Sequence, residues 1–87
     1  MAFYYRASCA DEDAAIRAFH STDHLFDSVT EATSIMKKRS GKDLLFCFED
    51  PEPVVLRLTE ALRQSRMFER VARINVSTFD TAVSNSI

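Results

Sequence analysis

Three groups of residues have the types and spacing to do chemistry. The first is acidic: Asp11, Glu12 and Asp13 near the N-terminus, and Glu49, Asp50 and Glu52 after an apolar run. If the strands before these two groups run parallel, the carboxylates converge at the carboxyl end of a sheet, where open α/β folds place their sites. Paired carboxylates there hold Mg²⁺ through one or two oxygens, and a phosphate completes the octahedron. That would be a metal-dependent phosphoesterase. The same acids serve as helix N-caps and as first-turn charges matched to the helix dipole, which is the favoured reading. No Lys, Ser or Thr stands in a motif that completes a phosphoryl-transfer site, and the single glycine, Gly41, excludes a glycine-rich phosphate loop. No metal or cofactor is assigned.

The second group is His20 and His24, four residues apart, with Cys9, Asp23 and Asp27 as possible neighbours. On a continuous helix this spacing ligates zinc, but Ser21, Thr22 and Asp23 are expected to break the helix, and the glutamate of an H-E-x-x-H site is missing. A surface loop is favoured. The third group is basic: Arg63, Arg66 and Arg70 at helical spacing, continued by Arg73, and a second cluster of Lys37, Lys38, Arg39 and Lys42. Either could follow phosphates, with Tyr4 or Tyr5 stacking on bases. Glu60 and Glu69 interrupt the arginines, and the net charge of −2 with a pI near 5.6 gives no global pull toward nucleic acid or an anionic membrane.

The elements that position these groups are built around Lys42 to Pro53. Leu44 to Phe48, LLFCF, is a short apolar run bounded by charges, as in a strand buried on both faces. Asp50 as N-cap and Pro51 in the first turn then open a helix to about Arg66, with Val54, Val55, Leu58, Ala61 and Leu62 inward. Upstream, residues 2 to 7 alternate as a half-buried strand, with Phe3, Tyr5 and Ala7 on one side. A helix capped by Ser8 or Asp11 runs to His20, and residues 21 to 27 form a connection. Ser28-Val29-Thr30-Glu31 matches a capping box and opens a helix to Arg39, ended by Lys37, Lys38, Arg39 and Gly41. Downstream, residues 69 to 77 alternate as a strand, and 78 to 87 form a frayed tail or a short helical turn.

The expected architecture is therefore one mixed α/β domain over residues 1–87. It has three strands in the order β-α-α-β-α-β, with helices mainly on one face. The last two strands are expected to be parallel neighbours joined by a right-handed crossover. Composition agrees with a single folded domain: 46% of residues are hydrophobic and 28% charged, and one Gly and two Pro leave little room for long loops. Cys9 and Cys47 form no CxxC pair and read as reduced thiols; the N-terminus lacks the apolar segment of a signal peptide, so a cytoplasmic location is expected.

With LLFCF in the middle of a sheet covered on one side, the opposite face needs a cover: a second copy, another protein, or the tail; with the first strand central instead, helices cover both faces and no partner is required. The reading is a small non-enzymatic protein-binding domain, an inhibitor, adaptor or other regulator, forming a homodimer. Its contact residues are Tyr4, Leu45, Cys47 and Ala72 or Arg73 on the sheet, with a rim of Arg63, Arg66 and Arg70. The alternatives are a nucleic-acid-binding regulator using the arginine face, and the phosphoesterase above.

Overall fold

A computed structural model describes residues 2–29 and 35–85. Seven elements follow one another: β1 (Phe3–Ser8), α1 (Glu12–Phe26), β2 (Ile35–Ser40), β3 (Asp43–Phe48), α2 (Glu52–Gln64), β4 (Arg70–Ile74) and α3 (Val76–Ser84). The strands form one antiparallel sheet in the order β2-β3-β1-β4. The first six elements are the β-α-β-β-α-β arrangement of the ferredoxin-like, or split βαβ, topology. The class expected from sequence is right in its coarse form. Among the described residues there are four strands rather than three, however, and the element order differs.

The main error lies between residues 28 and 39, where the capping box suggested a helix. Ile35 to Ser40 is an edge strand; residues 30–34, which include Glu31 of the box, lie outside the described residues. Ser28 Oγ donates to Leu25 O at 2.9 Å, so it closes the end of α1 instead of opening a new helix. Alternation suits this segment as well as helical spacing does: Ile35 packs on the core, while Met36 faces away and is 47% exposed. Gly41 has φ +62, and the Ser40–Asp43 pair leaves only Gly41 and Lys42 as the connection. A tight hairpin needs positive φ at its first turn residue, and glycine supplies it without the clash a side chain would bring.

Helix α1 is longer than its sequence suggested. Asp11 caps it by accepting from Ala14 N at 2.7 Å, and Glu12 and Asp13 occupy the first turn. Ser21 Oγ and Thr22 Oγ1 donate back to Arg17 O and Phe19 O, at 2.9 and 3.1 Å. Both residues lie within the helix with their hydroxyls satisfied by its own carbonyls, so Leu25 and Phe26 reach the core as its last turn rather than from a loop. Pro51 is the N-cap of α2, with no side-chain bond, and Asp50 is buried without being the cap. Past α2, Arg66 takes φ +61, a left-handed stop usually filled by glycine.

Because β1 is antiparallel to both β3 and β4, the last two are parallel to each other, but β1 separates them. One sheet face carries Phe3, Tyr5, Ala7, Leu44, Phe46 and Phe48 and packs on α1 and α2 with Ala15, Ala18, Val55, Leu58 and Leu62. The other face is not open. Asn75 caps α3 through Thr78 N at 2.7 Å, and α3 lays Phe79 over Leu45 and Cys47, with Tyr4, Ile74, Ala82 and Val83 around them. The tail is thus the cover, and LLFCF is enclosed by its own chain on both sides.

Two outcomes test this account. Phe79 is 4% exposed, so Phe79→Ala should lower unfolding stability in urea by about 3 kcal/mol, the usual cost of emptying a buried phenylalanine site. Arg66→Gly should raise it by about 1 kcal/mol, by relieving the left-handed backbone of a side-chain-bearing residue.

Candidate functional site

The acidic groups do not meet. In the β1–β3 register Ser8 faces Asp43 and Phe3 faces Phe48, so Asp11 to Asp13 leave the sheet at the β2–β3 hairpin while Glu49 to Glu52 leave it at the other end. Cys9 N donates to Lys42 O at 2.9 Å, which fixes the first group at that hairpin. The length of a six-residue strand, on the order of 20 Å, separates the two groups. Among the described residues no group of three or more potential ligands gathers for a metal ion. The arrangement on which a phosphoesterase depended is absent because the strands run antiparallel.

Tyr4, Leu45 and Cys47 do come together, since Tyr4 faces Cys47 and all three share the α3 side. They are covered, not presented: Leu45 is 0% and Cys47 6% exposed, and the Phe79 ring lies 4.8 Å from that of Tyr4. Ala72 on β4 is half-buried on the same side. The sheet centre proposed as a contact surface is therefore interior.

The basic residues keep their access but not their helical spacing. Arg63 is exposed in the last turn of α2 and donates from Nη2 to Val71 O at 3.3 Å, which ties the helix to the border strand. Arg66 stands in the left-handed turn, and Arg70 and Arg73 are exposed on β4. Strand alternation sends Arg70 to the α3 side and Arg73 to the other, where its guanidinium lies 5.1 Å from the Phe3 ring centre. Arg6 faces Ala72 from β1, in a shallow depression with Ser77, Thr78, Thr81 and Ala82. The result is an arginine-rich border along β4, with Glu69 exposed beside Arg70, and among the described residues β4 has a strand neighbour on one side only. At its end a second depression, of about 480 Å³, is lined by Ala2, Tyr4, Arg73, Ile74, Asn75 and Val76, and Val76 is 49% exposed.

Lys37, Lys38 and Arg39 lie on β2, the opposite border. Lys37 is committed to α1: its Nζ donates to Phe19 O and to Thr22 Oγ1 at 3.1 Å, lies 3.2 Å from Asp23 Oδ1 and sits over the Phe19 ring. His20 and His24 are both exposed on α1, and His24 Nδ1 is 3.9 Å from Asp27 Oδ2.

Sequence reasoning offered the tail as one of three covers without choosing it or Phe79 as the docking residue, and it missed Arg6 as part of the border. Phe79 was visible as an apolar residue in a polar tail, but nothing local said where it would dock. Arg6 was visible on the outward side of an alternating strand, and only the pairing with β4 gave it neighbours. The sequence matches no protein-family model and no curated protein.

Both cysteines are free and buried. Burial pushes their thiols up from the usual range; Asp43, Asp11 and Glu69 add to this at Cys9, and Glu49 does at Cys47. A thiol whose pKa is raised on folding favours the folded state below the unfolded-chain pKa and loses that contribution as pH rises past it. Stability should therefore be flat through neutral pH and fall above pH about 8.5, where unfolded cysteine ionises. Thermal unfolding from pH 7 to pH 10 checks this, and a Cys9→Ala, Cys47→Ala double variant should flatten the fall.

Proposed function

We propose that this chain is a small non-enzymatic protein-binding domain, of the inhibitor or adaptor kind, that takes an extended acidic segment of a partner along β4. The observation that carries this reading is a border strand with one neighbour, Arg70 and Arg73 on its two sides, and Arg63, Arg66 and Arg6 around it. An extended peptide adding to a sheet edge gains main-chain hydrogen bonds, at Val71 O in place of the Arg63 guanidinium, and side-chain complementarity selects which peptide it is. The depression beside Tyr4, Ile74 and Val76 gives an apolar anchor a place at one end of such a strand.

Self-association loses its original ground, because α3 already covers the apolar face that called for a second copy. Pairing of β4 with another β4 is also opposed, since antiparallel registers bring arginine close to arginine. Nucleic acid is the weaker alternative: base stacking needs an open aromatic face, and the Tyr4 ring is engaged by Phe79. Cys9 and Cys47, both free and buried, favour work in a reducing compartment such as the cytoplasm.

Fluorescence anisotropy with a labelled Asp/Glu-rich peptide containing one central aromatic tests the reading. Binding should weaken with salt, and by about tenfold or more in an Arg70→Glu, Arg73→Glu variant, at about 1 kcal/mol or less for each lost ion pair plus repulsion from the new charges. Unchanged affinity in that variant, or preference for a single-stranded oligonucleotide over the peptide, would overturn it.

A further inference from the structure

We infer that the exposed face of α1 carries a two-histidine chelate for a divalent transition-metal ion of the nickel, copper and zinc class. The site lies away from β4 and is independent of the binding reading above. Helix α1 runs unbroken from Glu12 to Phe26, so the interruption expected at Ser21 to Asp23 does not occur. Their hydroxyls are spent on Arg17 O and Phe19 O, within the helix. His20 and His24 are thus one turn apart on one continuous face, with β-carbons about 6 Å apart. One ion about 2.0–2.1 Å from a ring nitrogen of each bridges that spacing.

The surroundings suit a cation. Both imidazoles are exposed, so no buried contact must break before they turn to a common ion. Asp27 Oδ2 stands 3.9 Å from His24 Nδ1, beyond hydrogen-bond reach, and places a negative charge near the ion. The Phe19 ring meets His20 edge-on, with centroids 5.6 Å apart, which restricts how the first ring turns. Asp23 is engaged by Lys37, and Arg17 lies one turn before His20, so the local charge is nearly balanced rather than strongly acidic. That balance, with nitrogen as the donor, disfavours Mg²⁺ and Ca²⁺, which take oxygen, and leaves ions that accept imidazole. No third ligand joins the pair among the described residues, so water fills the remaining positions and the ion exchanges readily.

Calorimetric titration of the full chain with Zn²⁺ and Ni²⁺ in a non-chelating buffer, with thermal unfolding alongside, tests the inference. One ion should bind per chain, with a rise in Tm, because the chelate exists only while α1 is helical. His20→Ala and His24→Ala, both at exposed positions that leave the circular dichroism unchanged, should each weaken binding at least tenfold. Mg²⁺ at the same concentration should neither bind nor shift Tm. Absence of Zn²⁺ and Ni²⁺ binding, binding retained in either variant, or an equal response to Mg²⁺ would overturn it.

Discussion

Burial of β3 on both faces is the constraint the rest of the structure satisfies. Leu44, Phe46 and Phe48 point to α1 and α2, where the Phe46 and Phe48 rings stack and Phe26 meets both edge-on. Leu45 and Cys47 point the other way. Fully burying a side chain of leucine or phenylalanine size is worth about 1.5–3 kcal/mol, and a small domain has little total stability to lose. A single layer of helices would forfeit one side of that strand. The chain closes the deficit with α3, nine residues that contribute one fully enclosed aromatic, Phe79, and partly buried Ala82 and Val83.

Enclosing the strand leaves the margins as the surface open to other molecules. With both sheet faces occupied, the backbone groups and charges left to meet other molecules are those of β2, β4 and the outer sides of the helices. The two borders are treated differently. On β2, Lys37 is drawn in under α1 and Lys38 remains outside, a charge placement that discourages another strand from adding there. On β4 the arginines stay at the surface, one of them fastening the helix to the strand through Val71 O. Guanidinium groups repel one another and attract carboxylates, which is the chemical ground of the acidic partner proposed above.

The segment from Val29 to Ser40 shows why local signals misled. Ser28, the cations at 37 to 39 and Gly41 read as the cap, dipole partners and stop of a helix. In the fold they are a closing hydroxyl for α1, edge charges and the first residue of a hairpin turn. A helix stop and a tight hairpin ask the same thing of glycine, positive φ, and lysine or arginine suits a helix end and an edge strand alike. The sequence therefore offers two consistent assignments, and the choice depends on β3 needing a strand beside it.

What the residues settle by themselves is whatever depends on near neighbours. They fix the alternation in β1, the two-sided apolar run in β3 and the stripe of Val54, Val55, Leu58 and Leu62 in α2, and they narrow the cap of α1 to Ser8 or Asp11. Each follows from spacing along the chain, which the sequence states outright. Strand direction, the pairing of β1 between β3 and β4, the docking of α3 and the gathering of arginines at one border belong to the tertiary structure. They are set by which apolar faces exclude water together, and that is a property of surfaces brought together from distant parts of the chain.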